Sequence, residues 1–214
     1  RPILRGRDIK RYSYNFADLW LINTYNGVKE KGIKPIDIDD YPAVKEHLDQ
    51  YFPQLKKRQD KGDTPYNLRN CAYLEDFYRH KIIYPETTQG AYFAYDKNSN
   101  FIDKTAFILI SKDPLFLLSI LSSKLFSYSY KKIFSSIELG ESAYQYNKHA
   151  LEKLPIAKLK QEEQVPFLRL MNEILNSKNN GVNADTISLE KELDTLIYNL
   201  YNITEEEVNF IESQ

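Results

Sequence analysis

YPAVKEHLDQYFPQLKKRQDKGDTPYNLRNCAYLEDFYRHKIIYPE, residues 41–86, decides how the rest of the chain is read. Its first third has helical spacing. Pro42 suits a first helical position, Asp39 and Asp40 precede it, and Val44, Leu48, Phe52 and Leu55 recur at helical intervals. Pro53 is expected to end or kink this helix near its last turn, because proline lacks an N–H and crowds the preceding turn. The periodicity then stops. Lys56, Lys57, Arg58, Lys61, Arg69, Arg79 and Lys81 are interleaved with Tyr66, Tyr73, Phe77 and Tyr78, around a loop marked by Gly62, Asp63, Pro65 and Asn67. KIIY at 81–84 reads as a strand. Arginine and lysine supply phosphate and guanine contacts, and aromatic rings supply stacking faces or core anchors. A solvated helix and loop would have the same composition, so charge alone does not separate the two readings.

A set of segments resolves that choice. YPAVKEHLDQY, RQDKGDTPYNLRNCAY and KIIYPE are joined by RGRDIKRY (5–12), WLI (20–22), TAFILI (105–110), SKLF (123–126), LEKLPIAKL (151–159) and LEKELDTLIYNLYNITEEEVNFIE (189–212). In this order they resemble the C-terminal target-recognition domain of the TaqI-like adenine-N6 DNA methyltransferases. That family includes the single-chain type IIG restriction-modification enzymes. The resemblance covers most of the chain and lies in the ordered set, not in any one motif. The LEKLPIAKL segment is also similar to type I restriction specificity subunits, where a recognition lobe hands over to a helix through a comparable Leu-Pro-Ile stretch.

The 214 residues suffice for one large domain or two small lobes. The net charge is −1, but it is uneven: residues 1–148 hold 23 basic against 18 acidic side chains and residues 149–214 hold 6 against 12, giving +5 and −6. A basic front with an acidic tail suits a polyanion at the front only. The single cysteine, Cys71, excludes an internal disulfide, suits a reducing cytoplasm, and reads as a small packed residue, not a nucleophile. The longest apolar run, Leu115 to Phe126, is too short and too interrupted to span a bilayer. The abrupt Arg1-Pro2 start is read as the start of a piece cut from a longer protein.

Along the chain, Arg5, Arg7, Lys10 and Arg11 form a cationic entry, which the resemblance places along the DNA backbone. Leu19 to Ile22 is a strand candidate with Trp20 as a core anchor. Tyr92–Tyr95 and Thr105–Ile110 flank a turn cluster at 96–100 and read as a hairpin. Asp113 is a candidate cap for a buried helix with the stripe Leu115, Leu118, Leu121 and Leu125. Lys131 and Lys132, then Tyr144, Gln145, Tyr146, Asn147 and Lys148, surround a polar loop at Gly140 to Ser142. The resemblance turns Tyr144 to Lys148 toward DNA; a plain helix-entry loop is the other reading. Downstream, Val165, Leu168, Met171 and Leu175 mark one helix face and SKNNGVNAD a break. Ile187, Leu193, Leu196, Ile197 and Leu200 mark a second helix, and Thr204 with Glu207 has capping-box spacing.

The expected fold is α+β: a mixed strand and helix recognition lobe over residues 1–150, followed by a small helical bundle over 151–214. The chain lacks an Asn-Pro-Pro-Tyr-type motif and a Gly-rich S-adenosylmethionine loop. Asp8-Ile9-Lys10 is only half of a nuclease motif, and His47, His80 and His149 have no ligand spacing. No cofactor or catalytic residue is therefore expected in this stretch. The resemblance implies S-adenosylmethionine, with magnesium where a nuclease is linked, in the parent protein. The implied function is sequence-specific recognition of double-stranded DNA beside the parent's own methyltransferase domain, with no membrane partner. Candidate DNA contacts are Arg5, Arg7, Lys10, Arg11, Lys56, Lys57, Arg58, Lys61, Tyr66, Arg69, Lys131, Lys132 and Tyr144 to Lys148. Among these, Arg58, Arg69, Tyr144, Gln145 and Asn147 are the expected base readers and Lys56, Lys57 and Lys61 the expected phosphate contacts. The competing reading is an interaction scaffold that binds DNA without sequence choice.

Overall fold

The computed structural model describes residues 1–134, 144–181 and 184–214, with the backbone alone of Tyr144. The expected loop at Gly140 to Ser142 lies outside these residues. The chain divides into two compact units. Trp20–Asp76 with Arg1 forms the first, and Pro2–Leu19 with Phe77–Gln214 forms the second.

In the first unit, the periodic residues of the opening stretch lie on two helices, α1 (Pro42–Asp49) and α2 (Phe52–Lys57). As expected, the helical stretch is broken near Pro53, at residues 50–51, and Pro53 then lies at the start of the second helix. It occupies the first turn, where N–H groups have no intrahelical acceptor, so its missing donor costs nothing there. Val44, Leu48, Phe52 and Leu55 are half-buried, and Ile38 is the hydrophobic side chain of this unit that is buried. Thr24, Gly27 and Asn67 are the other buried positions, so hydrogen bonds, more than apolar burial, hold this unit. Leu19 to Ile22 forms only a single β-bridge, at Trp20, and not a full strand: the Arg1 amino group donates to Leu21 O at 2.8 Å, and Leu21 N to Arg1 O at 2.7 Å. Trp20 is 64% exposed and is not a core anchor.

The second unit is built on β4 (Lys81–Pro85), every residue of which is buried. It is the middle of a three-stranded antiparallel sheet between β6 (Ala94–Asp96) and β8 (Ala106–Leu109). The two expected hairpin arms therefore pair with β4 and not with each other. KIIY is a continuous apolar run that can be buried on both faces, which makes it the central strand. Successive side chains alternate between faces. Ile82 and Tyr84 join the main core, while Ile83 joins Leu4, Ile9, Ala94 and Ala106 in a smaller one. Short pairings complete the scaffold: β1 (Ile3–Leu4) lies parallel to β7 (Phe101–Ile102), β2 (Ile9–Lys10) antiparallel to β3 (Ser13–Tyr14), and β5 (Thr87–Thr88) antiparallel to β9 (Tyr144–Gln145).

Helices cover the Ile82 face. In α3 (Pro114–Leu121), Leu118 and Leu121 are buried as expected, Leu115 is half-buried, and the Asp113 side chain makes no cap bond. Next come α4 (Lys124–Phe134), α5 (Lys148–Leu151), α6 (Gln161–Asn180), α7 (Ile187–Leu200) and α8 (Glu205–Glu212). The inward face of α6 is Gln164, Phe167, Leu170, Met171 and Ile174, with Val165 exposed; the helix also runs on to Asn180, through the first half of the expected break. In α7 the buried side chains are Leu193, Asp194, Ile197 and Tyr198, while Ile187 is exposed and Leu196 half-buried. The Thr204–Glu207 capping box of α8 is formed. Residues on either side of position 150 share one core, in which Phe93, Leu118, Phe126 and Tyr146 pack with Leu170, Ile174 and Ile197. The elements thus make an α+β fold. Among the described residues no helix is long and apolar enough to cross a membrane.

One buried carboxylate gives this core a pH dependence. Asp194 Oδ1 accepts from Lys124 N at 2.9 Å, tying α7 to the start of α4. Burial pushes its carboxyl up to about 6, and Glu212 adds to the rise, against Lys124 N–H, Arg11 and the Lys124 ammonium, which favour the charged form. The folded state therefore keeps a proton that the unfolded chain has lost between about pH 4 and pH 6. Stability from this group is fullest below about pH 4 and declines as pH rises through about 6, by about 2–3 kcal/mol. Asp194→Asn keeps the acceptor and should remove that decline. Urea midpoints of the two proteins at about pH 5 and pH 7 check it; parallel pH profiles would refute it.

Candidate nucleic-acid interface

In the first unit, cations concentrate on one arm. Residues 56–69 hold five basic against two acidic side chains, whereas residues 37–49 hold one against five. Lys56 and Lys57 end α2, where cations suit the negative end of the helix dipole, and both are exposed. The loop that follows is held from within. Asn67, 1% exposed, donates through Nδ2 to Ile36 O at 2.9 Å and accepts from Thr64 Oγ1 at 2.6 Å, while its carbonyl takes Gly62 N at 3.0 Å. Thr24 Oγ1 donates to Tyr66 O at 2.7 Å, and Leu68 N to Thr24 O at 2.8 Å. Asn26 Oδ1 accepts from Asp63 N at 2.7 Å, and its Nδ2 donates to Asp63 Oδ1 and Asn70 Oδ1. A Cβ on Gly62 would lie 2.2 Å from Asn26 Oδ1 and 2.6 Å from Leu68 O, so only glycine allows this close approach. Gly27 has φ +71°, the left-handed region that favours glycine.

These bonds sort the side chains of the arm. Lys56, Lys57, Lys61 and Arg69 are exposed. Lys61 Nζ donates to Lys56 O at 2.9 Å, which keeps the two residues adjacent, and Arg69 lies 3.6 Å from Asp60. Arg58 is different: its NH2 donates to Asn67 O at 2.7 Å and Pro65 O at 3.3 Å, and its buried Nε has no hydrogen-bond partner. Its guanidinium braces the loop from beneath. Tyr66 donates to Asp49 Oδ1 at 2.5 Å, a bond that raises the phenol's pKa, and its ring lies 5.5 Å from Phe52. Charge spacing singled out the arm, but Thr24, Asn26 and Asn67 carry no chemistry of their own. Their only sequence signals are the Asn-Gly at 26–27 and the turn composition around Asn67.

The second candidate arm belongs to the second unit. Here β9 brings Gln145 against Glu86, with Nε2 donating to Glu86 Oε1 at 3.2 Å. Tyr130 Oη donates to Gln145 O at 2.6 Å and accepts from Asn147 N at 3.3 Å. Asn147 Oδ1 accepts from Ala150 N at 2.8 Å and so caps α5. Lys148 is exposed, 3.6 Å from Glu152. Tyr146 is fully buried, with ring centroids of Tyr130 at 4.7 Å, Phe93 at 4.9 Å and Phe126 at 6.1 Å. It is a core anchor and not a DNA contact; strand alternation turns it inward where Gln145 turns out. The side chain of Tyr144 lies outside the described residues.

The cationic entry is largely engaged within the second unit. Arg5 donates to Asp8 through Nε at 2.9 Å and NH2 at 2.8 Å, and these bonds hold the Asp8 carboxyl below the usual range. Arg11 donates to Glu190 Oε2 at 2.8 and 2.5 Å and lies 4.7 Å over the Tyr12 ring. Lys10 Nζ donates to Arg7 O at 2.9 Å, while the Arg7 side chain is exposed. Lys131 and Lys132, on the last turn of α4, are exposed and line a cleft with Tyr128 and the end of α8.

Chemically, the arrangement offers fixed cations and hydrogen-bonding groups at a surface. Among the described residues, no group of three or more His, Cys, Asp or Glu is placed to hold a metal ion. Burial pushes the Cys71 thiol up, away from the reactive thiolate. Residues 1–156 match the family model described as the TaqI-like C-terminal specificity domain. The match spans both candidate arms and ends just before α6. The chain therefore belongs to the TaqI-like C-terminal specificity domains, the DNA-recognition part of restriction-modification enzymes.

Proposed function

We propose that this domain reads a specific double-stranded DNA sequence for an adenine-N6 methyltransferase of the type IIG kind, in the bacterial cytoplasm. The observation that carries the reading is the arm of Lys56, Lys57, Lys61 and Arg69: exposed cations on a loop whose backbone is tied down by Thr24, Asn26 and Asn67. A tied backbone holds phosphate contacts in register, and register is what lets a neighbouring side chain meet one base edge. In this reading the Lys56–Arg69 arm grips the phosphates of the duplex. The parent's methyltransferase domain, which would hold S-adenosylmethionine, turns the adenine out of the stack to reach its amino group. In this reading the acidic helices beyond residue 150 dock protein.

A second reading has its own support. Arg58 and Asn147, two of the expected base readers, use their polar groups inside the domain, and Gln145 shares its amide with Glu86. A surface left mainly with lysines grips phosphate without sequence choice, as a scaffold would. Selection from a randomised duplex library by the 214-residue chain decides between them. Sequence reading predicts enrichment of one short motif, with about 1–3 kcal/mol lost per altered base pair. Tight binding that enriches no motif establishes the scaffold instead.

A further inference from the structure

The geometry points to Gln145 as the reader of an adenine in the duplex, with Glu86 as the positioning residue that orients its amide. This deepens the reading of the domain as a reader of DNA sequence, and rests on it. In the second unit, β5 and β9 form a two-stranded antiparallel ribbon in which Thr87 lies opposite Gln145 and Thr88 opposite Tyr144. Directly opposite residues share a face, and successive residues alternate between faces. Thr87 is exposed and Gln145 half-buried, while Thr88 and Tyr146, each one residue further along, are buried. One side of the ribbon thus seals the core and the other presents Thr87 and Gln145. The major groove admits a two-stranded ribbon, and its base edges carry the sequence code.

The ribbon is held from its inner side. Tyr130 Oη, on α4, donates to Gln145 O at 2.6 Å and accepts from Asn147 N at 3.3 Å. Tyr146 N donates to Glu86 O at 2.9 Å, and Glu86 N to Thr105 O at 3.0 Å. These bonds fix the main chain around both Gln145 and Glu86. One more fixes their side chains: Gln145 Nε2 donates to Glu86 Oε1 at 3.2 Å. A carboxylate only accepts, so the nitrogen end of the amide faces it, which removes the two-fold ambiguity of a glutamine. Glu86 takes one of the two N–H groups. Among the described residues, the second N–H and Oε1 of Gln145 have no hydrogen-bond partner. One donor beside one acceptor is the complement of adenine, whose N7 accepts and whose N6 amino group donates. Guanine offers two acceptors there and cytosine one donor, so an oriented amide makes at most one bond to either. The Glu86 charge repels phosphate, so this edge of the ribbon suits a base and not the DNA backbone.

The test is selection from a randomised duplex library by the whole chain, as wild type, Gln145→Ala, Glu86→Ala and the Glu86→Ala/Gln145→Ala double variant, each checked by thermal melting. The wild type should prefer adenine at one motif position by about 10- to 100-fold, and Gln145→Ala should flatten that position alone. Glu86→Ala should weaken the preference at the same position by about 3- to 10-fold, the worth of one orienting hydrogen bond. In the Gln145→Ala background it should change nothing more, because it acts through that amide. If either alanine variant fails to melt cooperatively, Gln145→Met and Glu86→Gln carry the same test. Methionine keeps the length without the amide, and a glutamine at 86 both donates and accepts, so it no longer holds Gln145 one way round. A wild-type motif in a folded Gln145 variant, or a flattened position that is not adenine, overturns the assignment and leaves DNA recognition standing. A Glu86 variant that keeps the wild-type motif, weakens all sequences alike or relaxes a different position overturns the positioning role. A wild-type chain that enriches no motif overturns the reading of sequence itself, and this pair with it.

Discussion

Replacing Asp96 by alanine lowers the free energy of unfolding by about 3–5 kcal/mol, the cost of leaving a buried charge without its partner. Lys81 and Asp96 are direct neighbours across β4 and β6, both 0% exposed, with Nζ and Oδ2 2.6 Å apart. The carboxylate also accepts from Asn98 N at 2.9 Å, Asn100 N at 3.0 Å, Asn100 Nδ2 at 2.8 Å and Tyr14 Oη at 3.2 Å. The ammonium has one further acceptor, Phe77 O at 2.7 Å. The two halves of the pair are thus unequal. Without Asp96, a buried ammonium keeps a single carbonyl and the 96–100 turn loses its acceptor. Without Lys81, the carboxylate keeps four donors, so Lys81→Met costs less, about 1–3 kcal/mol. Urea unfolding of both variants measures the order; a larger loss for Lys81→Met would refute the account. Apolar replacement of both residues should not restore stability, because the turn amides stay unsatisfied.

That pair also marks the limit of what sequence could convey. KIIY was legible as a strand because a short apolar run beside turn residues has few other uses, and the α8 capping box because its spacing is its mechanism. Lys81 looked like one more cation of the basic stretch. Only the pairing of β4 with β6 puts it opposite Asp96, and strand pairing is a long-range property. The face of α6 was ambiguous for a different reason. Val165, Leu168, Met171 and Leu175 keep helical spacing as well as Phe167, Leu170, Met171 and Ile174 do, and packing against α3, with Phe116 5.3 Å from Phe167, selects the second set. The same holds for the candidate interface. Composition located the 56–69 arm, yet nothing local distinguishes Arg58, bonded beneath the loop, from Lys57 beside it. Arg11 looked like part of a cationic path until folding brought Glu190 to it from 179 residues away.

Replacing Lys56, Lys57 and Lys61 together by glutamine should flatten the salt dependence of duplex binding by about 3 units of slope. That corresponds to an affinity loss on the order of several hundredfold near 0.1 M salt, equal for all sequences. The effect is electrostatic. Each lysine that neutralises a phosphate releases condensed counterions, and the three sit together at the end of α2 and the loop after it. They are exposed and contribute to neither hydrophobic core, so the variant should melt where the wild type does. Arg58→Gln provides the contrast. It removes donors from Asn67 O and Pro65 O, so it should lower stability by about 1–3 kcal/mol. Any effect on DNA should then come through the shape of the loop. Anisotropy titrations over a range of salt, run beside thermal melts, separate the two behaviours. A triple variant that keeps the wild-type slope removes this arm from the interface, and an Arg58 variant that keeps wild-type stability removes the brace assigned to it.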